Sequence, residues 1–382
     1  ALIGIVFAGL ALAGGSGATV PGQNGKLALT KEVLHSSSVF SIGFGDLRPA
    51  RLTPEAHKGY SPAFSPDGRK VAFIGGDDQL MTKSAFGATG AIRQLTEDPL
   101  RCCYVGGPVF DPDGKSIVYQ YGDSSSGQEL LEISTSGGEP RRIGSWPGYN
   151  LNAAISPNGR IIALATGPLG ETEIHLLNRD GSGERRLEVG IPADRPSFSP
   201  DGSRIAFTGR EGKVSQIFTS AQDGSRVRPL TSGPGRKTNP VYSPDGTKIA
   251  FSTANGSVWV MNVDGSNKKK VATGNGSYSL GDWQRKAPLV LRKAVHAFGP
   301  LRIVKPEAEV FGPGRLRLSG KFVKATIRVL KSSGTVTVPL KRSLKKVIAR
   351  KGVARLTVRA RFEPVGGLPG TVKRRFTLRP GS

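Results

Sequence analysis

The chain has 382 residues, with 54 Lys and Arg against 29 Asp and Glu, and a formal net charge of +25. Its 52 Gly and 27 Pro, together with few helical apolar periods, indicate an all-β protein whose length allows two domains. The only two cysteines are adjacent, which excludes a disulfide framework and a Cys/His zinc site. Cys102 and Cys103 can form a strained vicinal disulfide, stay free or pair between molecules.

An uncharged apolar run, Ala1 to Ala13, begins the sequence and is too short to span a bilayer, which takes about 20 residues. Small residues follow at Ser16–Ala18, where signal peptidase prefers them. We therefore expect residues 1–18 to be a signal peptide truncated at its start; a plain N-terminal tail or anchor is the alternative. On this interpretation the mature protein has no transmembrane span and is secreted or envelope-associated, either extracellular or periplasmic.

A turn sequence recurs along the next part of the chain, first as Phe-Ser-Pro-Asp-Gly at residues 64–68. Its glycines recur at intervals of 46, 45, 43 and 44 residues: Gly68, Gly114, Gly159, Gly202 and Gly246. Pro fixes φ, Asp bonds back to the backbone and Gly accepts positive φ, so the sequence predicts a tight turn. One apolar strand precedes each turn and three follow it, which predicts a four-stranded propeller blade of about 44 residues.

A shortened copy at Gly25, 43 residues before Gly68, raises the number of blades to six. This first blade lacks its innermost strand, because few mature residues precede Gly25. The segment Tyr278–Trp283 stands where a seventh inner strand would start. We expect it to complete blade 1, with Trp283 in the place that Phe64 takes in blade 2. An open solenoid with capped ends is the alternative.

This repeat resembles that of the TolB-type propellers, which are related to WD repeats but lack the Trp-Asp signature. The resemblance covers residues 19–287 and implies a six-bladed β-propeller. It implies little about function, because propellers serve as binding modules and as enzymes. TolB itself also carries an N-terminal α/β domain, for which there is no room here, so we expect this protein to share the propeller without being the TolB of a Tol–Pal system.

The loops from one blade to the next differ in every copy, whereas the Ser-Pro-Asp-Gly turns on the opposite face are nearly constant. Function on propellers is usually found on such variable loops, held by a rigid scaffold. Aromatic and cationic residues, the types that anchor interfaces, recur there. The predicted binding residues are His57, Lys58, Tyr60, Arg101, Tyr104, Trp146, Tyr149, Asp194, Arg195, Arg236, Lys237 and Tyr278. Tolerated variation at an exposed face is the alternative interpretation.

Catalytic motifs are not found: there is no Gly-x-Ser-x-Gly elbow, no His-Glu-x-x-His and no phosphate loop. The isolated Asp-Gly turns lack the ligand spacing of a calcium loop. We therefore predict no catalytic residues, no metal and no cofactor. The alternative is an extracellular hydrolase or lyase that acts on a polysaccharide or peptide at the channel mouth. Two carboxylates about 5–10 Å apart would favour it, and Glu55, Glu97, Asp98 and Asp194 are the candidates.

The last part of the chain is strongly basic. Residues 288–382 hold 23 Lys and Arg and only 3 Asp and Glu, a net charge of +20. We predict a linker at 288–299 and a small basic β-sandwich, loosely Ig-like, at 300–382, with one short helix at 343–351. Such a surface attracts anionic polysaccharides or lipid headgroups, and a basic surface without a ligand is the alternative. Nucleic acid is disfavoured by export and by the scarcity of stacking aromatics.

Together these features predict an exported, monomeric binding scaffold. Its propeller would bind a protein or an envelope polymer through the variable loops, and its basic domain would associate with anionic envelope polymers.

Overall fold

The computed structural model describes residues 22–378 with gaps, at 34–35, 44–45, 47, 86–87, 89, 98–103, 124–126, 147–151, 169, 274–276, 287–288, 299–300, 311–313, 321–322, 325, 331–333, 338–340, 342, 344–353 and 365–369. The contacts divide this part of the chain into two units, Asn24–Arg285 and Lys286–Ser382. The predicted signal peptide and both cysteines lie outside the described residues. The predicted helix at 343–351 also lies outside them, except for Ser343.

The first unit consists of antiparallel four-stranded sheets, one for each repeat. Blade 1 contains β1 (Gln23–Val33), β2 (Ser36–Ile42) and β3 (Ala50–Arg51). Blade 2 contains β4 (Gly59–Phe64), β5 (Lys70–Gly75), β6 (Leu80–Ser84) and β7 (Arg93–Gln94). Blade 3 contains β8 (Tyr104–Phe110), β9 (Ser116–Asp123), β10 (Gly127–Ser134) and β11 (Arg141–Trp146).

The remaining three blades repeat this order. Blade 4 contains β12 (Ala154–Ile155), β13 (Ile161–Thr166), β14 (Glu173–Asn178) and β15 (Arg185–Arg186). Blade 5 contains β16 (Ala193–Phe198), β17 (Arg204–Glu211), β18 (Val214–Ala221) and β19 (Arg228–Pro229). Blade 6 contains β20 (Lys237–Tyr242), β21 (Lys248–Thr253), β22 (Val258–Asn262) and β23 (Lys269–Ala272). The predicted six-bladed propeller is confirmed.

Ring closure follows the prediction as well. Strand β24 (Ser277–Lys286) is the innermost strand of blade 1, beside β1. Trp283 is 4% exposed, as is Phe64 in blade 2. Oε1 of Gln284, the residue after Trp283, accepts a hydrogen bond from the Lys26 amide of β1 at 3.1 Å. The two ends of the propeller are therefore joined within one sheet.

The core lies between the blades. Alternate residues of a strand face opposite sides of its sheet, so each blade contributes to the contacts with both neighbours. Val71 and Phe73 pack against blade 1, whereas Ala72 and Ile74 pack against blade 3. Among the described residues, one apolar cluster lies between each pair of neighbouring blades. A single blade would expose both of its apolar faces, which is why the ring must close.

Hydroxyl groups link successive blades around the channel. The backbone amide of Ser61 in blade 2 donates to Thr30 Oγ1 in blade 1 at 3.1 Å. The Asn239 amide in blade 6 donates to Thr208 Oγ1 in blade 5, also at 3.1 Å. Ser61 and Asn239 have φ of 52° and 62°, in the left-handed region, at the register shift of their inner strands. The shift frees these amides from their own sheets for the link to the neighbouring blade.

The antiparallel order gives the propeller two unlike faces. The turns between the first and second strands and between the third and fourth strands lie on one face, called here the constant-turn face. The loops between the second and third strands and from blade to blade lie on the other, the variable-loop face. The sequence prediction of a separate variable face thus agrees with the observed topology.

The second unit contains two antiparallel sheets. One has the order β25-β26-β29, formed by β25 (Leu289–Phe298), β26 (Leu301–Val310) and β29 (Gly334–Thr337). The other has the order β28-β27-β30-β31, formed by β27 (Gly314–Ser319), β28 (Thr326–Leu330), β30 (Ala354–Pro364) and β31 (Gly370–Leu378). The expected β-sandwich remains a prediction. Within the described residues, no helix is long and apolar enough to cross a membrane.

The expected linker at 288–299 differs from the structure. Strand β25 occupies Leu289–Phe298 and pairs along its whole length with β26. The apolar residues Leu289, Val290 and Leu291 begin this segment, and no Gly or Pro interrupts it before Gly299. It therefore satisfies its backbone groups in a sheet rather than as an extended connection.

Candidate functional site

The Ser and Asx side chains on the constant-turn face are hydrogen-bonded within their own turns. In blade 5, Ser199 Oγ donates to Asp201 Oδ1 at 2.5 Å and accepts from the Arg204 amide at 3.0 Å. Burial acts to raise the pKa of Asp201, but hydrogen bonds from Ser199 and Ser203 outweigh it and hold the pKa below its usual value. The same Ser-to-Asx bond recurs in three other blades, at Ser65, Ser156 and Ser243. These turns are therefore satisfied without an outside partner.

Blade 3 departs from the turn sequence, because Asp111 replaces the serine. Its carboxylate accepts a hydrogen bond from Arg179 Nε of blade 4 at 3.0 Å. Arg179 also pairs with Glu132, which in turn pairs with Arg141 at 2.6 Å. The departure is explained by an ion-pair network between two blades, in which Arg179, Asp111 and Glu132 have side chains only 16–20% exposed.

The variable-loop face has polar groups of a different kind. Asp194 stands in the inner strand of blade 5, and its Oδ2 lies 3.8 Å from Arg195 Nε. Its Oδ1 is buried and has no hydrogen-bond partner among the described residues. Burial raises the pKa of Asp194, although the charges of Arg195, Arg236 and Arg210 and a bond to Thr208 act in the opposite direction. The neighbours of this carboxylate are thus mainly arginines.

A cationic loop stands next to Asp194, between blades 5 and 6. The Lys237 ammonium donates to the backbone carbonyls of Ser232, Gly233 and Pro234 at 2.8–3.1 Å, which pins the loop. Burial lowers the pKa of Lys237, and the nearby Lys268 lowers it further. Arg236 is exposed on the same loop. The loop is held by its own lysine rather than by an acidic side chain.

Two hollows share Arg236. The larger has a volume of about 350 Å³ and is lined by Arg236, Lys237 and Lys268 together with Phe251 and Trp259. The smaller, of about 60 Å³, is lined by Asp194, Arg210 and Arg236, among others. A third hollow of about 580 Å³ lies between blades 2 and 3. Sequence reasoning missed Arg210, Lys268, Phe251 and Trp259, because a repeat pattern does not show which strand residues meet a neighbouring blade's loop.

The predicted residues of blade 2 lie where the sequence suggested. His57 and Lys58 are exposed on the loop that leads into blade 2. Tyr60 is half-buried, and its hydroxyl donates to Asp78 Oδ1 at 2.5 Å, across the same face. In blade 5, Arg195 reaches blade 6, where its Nη1 lies 3.4 Å from Asn239 Oδ1. The structure thus brings Asp194, Arg195, Arg236 and Lys237 together and leaves the blade 2 residues as a separate group.

Two predicted rim aromatics are instead buried between blades. Trp146 is 9% exposed, packs between blades 3 and 4, and donates from Nε1 to Glu184 at 3.1 Å. Tyr278 is 5% exposed and makes an edge contact with Phe40 at 6.3 Å. Both stand in or at the end of strands, where a large side chain is drawn into the core. Arg101, Tyr149 and the side chain of Tyr104 lie outside the described residues.

The second unit presents a basic sheet face of its own. In β27 and β30, Leu316, Leu318, Leu356, Val358 and Ala360 are buried, so the alternate residues of these strands face away from that core. Four arginines on the outward side are exposed, here called the arginine face: Arg317, Arg355, Arg359 and Arg375. Like charges on neighbouring strands repel each other, so the arginine face lowers the stability of this sheet.

Metal chemistry has no support in the described residues, where no group of three or more His, Cys, Asp or Glu is placed to hold an ion. His175 bonds through Nδ1 to Glu184 Oε1 at 2.7 Å, the same oxygen that accepts from Trp146. This histidine therefore belongs to an interblade contact. The geometry defines a six-bladed propeller in which the Ser and Asx side chains of the constant turns bond to one another and a cationic hollow lies beside Arg236 of the variable-loop face.

The model of the TolB beta propeller domain matches residues 52–208 and 189–294, so the chain belongs to this family. The Tol-Pal system protein TolB of Anaeromyxobacter dehalogenans strain 2CP-C is 33% identical over 112 residues, 29% of this chain and 26% of that protein. An uncharacterised Agrobacterium fabrum protein, Atu1656, is 29% identical over 184 residues, 46% of this chain and 59% of that one. The matches thus span about a quarter and somewhat over half of these relatives. The crystal structure of TolB from Acinetobacter baumannii aligns with a TM-score of 0.60 at 21% identity, over 70% of this chain and 68% of that chain.

Proposed function

We propose that this protein is an exported, non-catalytic propeller scaffold that binds a partner protein or envelope polymer through its variable-loop face. The observation that carries the proposal is the contrast between the two faces. The Ser and Asx side chains of the constant turns bond to one another, whereas the variable-loop face presents the exposed Arg236 beside a hollow whose lining residues include no Asp or Glu. An exposed cation beside such a hollow is suited to an anionic group of a partner.

Family membership supports an envelope location for this proposed function. Relatives of this chain are named Tol-Pal system protein TolB, and the apolar start of this chain is typical of a signal peptide. We infer that the mature protein is periplasmic or secreted, acts as a monomer and binds another envelope component. Its predicted contact residues outside the cleft include His57, Lys58 and Tyr60.

A pull-down from an envelope fraction tests the face. Arg236→Glu reverses a charge on the variable-loop face, and the matched control Arg69→Glu reverses an exposed charge on the constant-turn face. We expect the wild type and the control to retain the same partner, identified by mass spectrometry, and Arg236→Glu to lose it. Equal retention by both variants would overturn the assignment of the binding face.

We also propose that the arginine face associates with an anionic envelope polymer. Guanidinium groups bind phosphate and carboxylate bidentately, and the charge of this unit attracts polyanions at long range. The test is cell-wall binding by the full chain with the four arginines of the arginine face changed to glutamine. The control removes four exposed cations from the constant-turn face: Lys26, Arg69, Lys115 and Arg160.

We expect binding to fall only in the arginine-face variant and to be abolished for the wild type in about 1 M salt, where the screening length is about 3 Å. Retention at that salt would rule out a charge-driven contact. Equal losses in the two variants would mean that net charge, and not this sheet face, is responsible.

A further inference from the structure

The 350 Å³ hollow between blades 5 and 6 is lined by the loop before β20, the β21–β22 loop and strands β21 and β22, and Lys268 of the β22–β23 turn reaches it from the constant-turn side. The apolar cluster between these blades ends at its floor, where Phe251 is 2% exposed and Trp259 is half-buried. The walls carry Arg236, Lys237 and Lys268. The cavity thus combines an apolar floor with cationic walls, and its volume is within the range of about 300–1,000 Å³ typical of ligand sites.

Its charge has no acidic counterpart. None of the residues that line this hollow is Asp or Glu. The Lys237 ammonium is bonded to three carbonyls, and Lys268 Nζ donates to the Gly265 carbonyl. Neutral carbonyls orient these ammonium groups and leave their charge uncompensated. The adjoining small hollow is also lined by Arg236 and adds Arg210, and Asp194 is the one acidic residue among its lining residues.

The loop over the hollow is preorganised. Gly233 and Gly235 have φ of 81° and 78°, which other residues rarely adopt, and Pro234 stands between them. Lys237 then closes the loop by its three hydrogen bonds. A preformed loop lowers the entropy that a ligand must overcome on binding.

We propose that this hollow, the blade 5–6 cleft, binds an acidic, partly apolar peptide segment of a partner protein. Carboxylates of the segment would pair with Arg236 and Lys268, and an apolar side chain would cover Phe251 and Trp259. Charge complementarity favours an acidic ligand, and the apolar floor favours a peptide side chain over a uniformly charged polymer. The Lys270 ammonium lies over the Trp259 ring at 5.5 Å, so one ring face is already in contact with a cation and less suited to stacking with a sugar. This inference rests on the proposed partner-binding role of the variable-loop face and gives that partner a chemistry.

Calorimetric titration of the full chain with synthetic peptides tests the inference. The probe is acetyl-Asp-Leu-Asp-Leu-Asp-amide; the matched controls replace Asp by Asn, which removes charge, or Leu by Ser, which removes apolar surface. We expect the probe to bind at least about 10-fold more tightly than either control, because one charge-assisted contact amounts to about a factor of ten. Equal binding of the Asn peptide would overturn the inference.

Variants locate the contact. The double variant Arg236→Ala with Lys268→Ala removes both charges proposed to pair with the carboxylates of the ligand, and we expect it to weaken binding of the probe about 10-fold or more. Lys213→Ala, an exposed cation on the β17–β18 loop outside the cleft, should leave the affinity unchanged. Equal effects would overturn the site. A polyuronate that binds the cleft more tightly than the probe would overturn the class of ligand.

The two proposals fail separately. If Arg236→Glu abolishes envelope pull-down but the probe does not bind, the face is functional and the acidic-peptide assignment is wrong. If the probe binds in the cleft but pull-down is unaffected, the cleft recognises acidic peptides and the partner-binding proposal for the face is wrong.

Discussion

Replacement of Trp283 by alanine tests how the ring is closed. Trp283 is 4% exposed, in the cluster that β24 forms with blades 1 and 6. Aromatic side chains bury about 150–250 Å², and at about 25 cal/mol/Å² this amounts to roughly 4–6 kcal/mol. An extended reference chain overstates burial by about 10–40%, so we expect Trp283→Ala to lower the free energy of unfolding by about 3–5 kcal/mol.

Guanidinium unfolding followed by circular dichroism measures this loss without relying on the deleted fluorophore. Phe64→Ala, at the equivalent place in blade 2, is the matched core variant, and Trp259→Ala removes a half-buried tryptophan of blade 6. We also expect β24 of the Trp283→Ala variant to be cleaved by proteases before the other strands. Only hydrogen bonds and packing, and no covalent link, hold β24 beside β1. A loss within about 0.5 kcal/mol, as at ordinary surface positions, would refute closure through β24.

Three further substitutions test the faces. Arg179→Ala leaves the carboxylates of Asp111 and Glu132 without their shared partner, which should lower the free energy of unfolding by about 2–3 kcal/mol, less than for a fully buried pair. The pKa of Glu132 is lowered by hydrogen bonds and by Arg179 and Arg141 against the opposing effect of burial, so this loss should shrink in unfolding titrations as the pH falls below the ordinary value of 4.5. Asp194→Asn should raise the free energy of unfolding at pH 7, because the folded state raises this pKa and disfavours the charge; the gain should vanish below the ordinary value of 3.8, and its persistence there would contradict the reasoning. Asn239→Ala should be less stable than Asn239→Gly by about 1 kcal/mol in thermal unfolding, because only Gly relaxes the φ of 62°; equal stabilities would mean that the conformation is unstrained.

The repeat made the propeller predictable, because its turn chemistry and spacing are local properties of the sequence. The closing strand was also predictable, since Gly25 lacks an inner strand and Trp283 stands at the right interval. The burial of Trp146 was not predictable, because a tryptophan at the end of a strand can face either solvent or the next blade. Its apolar neighbours in blades 3 and 4 and its hydrogen bond to Glu184 come from parts of the chain that are distant in sequence. The strand β25 was missed because composition alone marked a boundary there.

Individual blades depart from the repeat on both faces of the propeller. On the constant-turn face, Asp111 departs from the repeat, and Arg179 of the next blade accounts for it from within the protein. On the variable-loop face, Asp194 and Arg236 differ from the residues in the other blades. Asp194 Oδ1 has no hydrogen-bond partner among the described residues, and Arg236 lines two hollows. The ion pair of Asp111 with Arg179 contributes to stability, whereas burial of the Asp194 carboxylate lowers it. The binding role proposed above would account for Asp194 and Arg236 at this face.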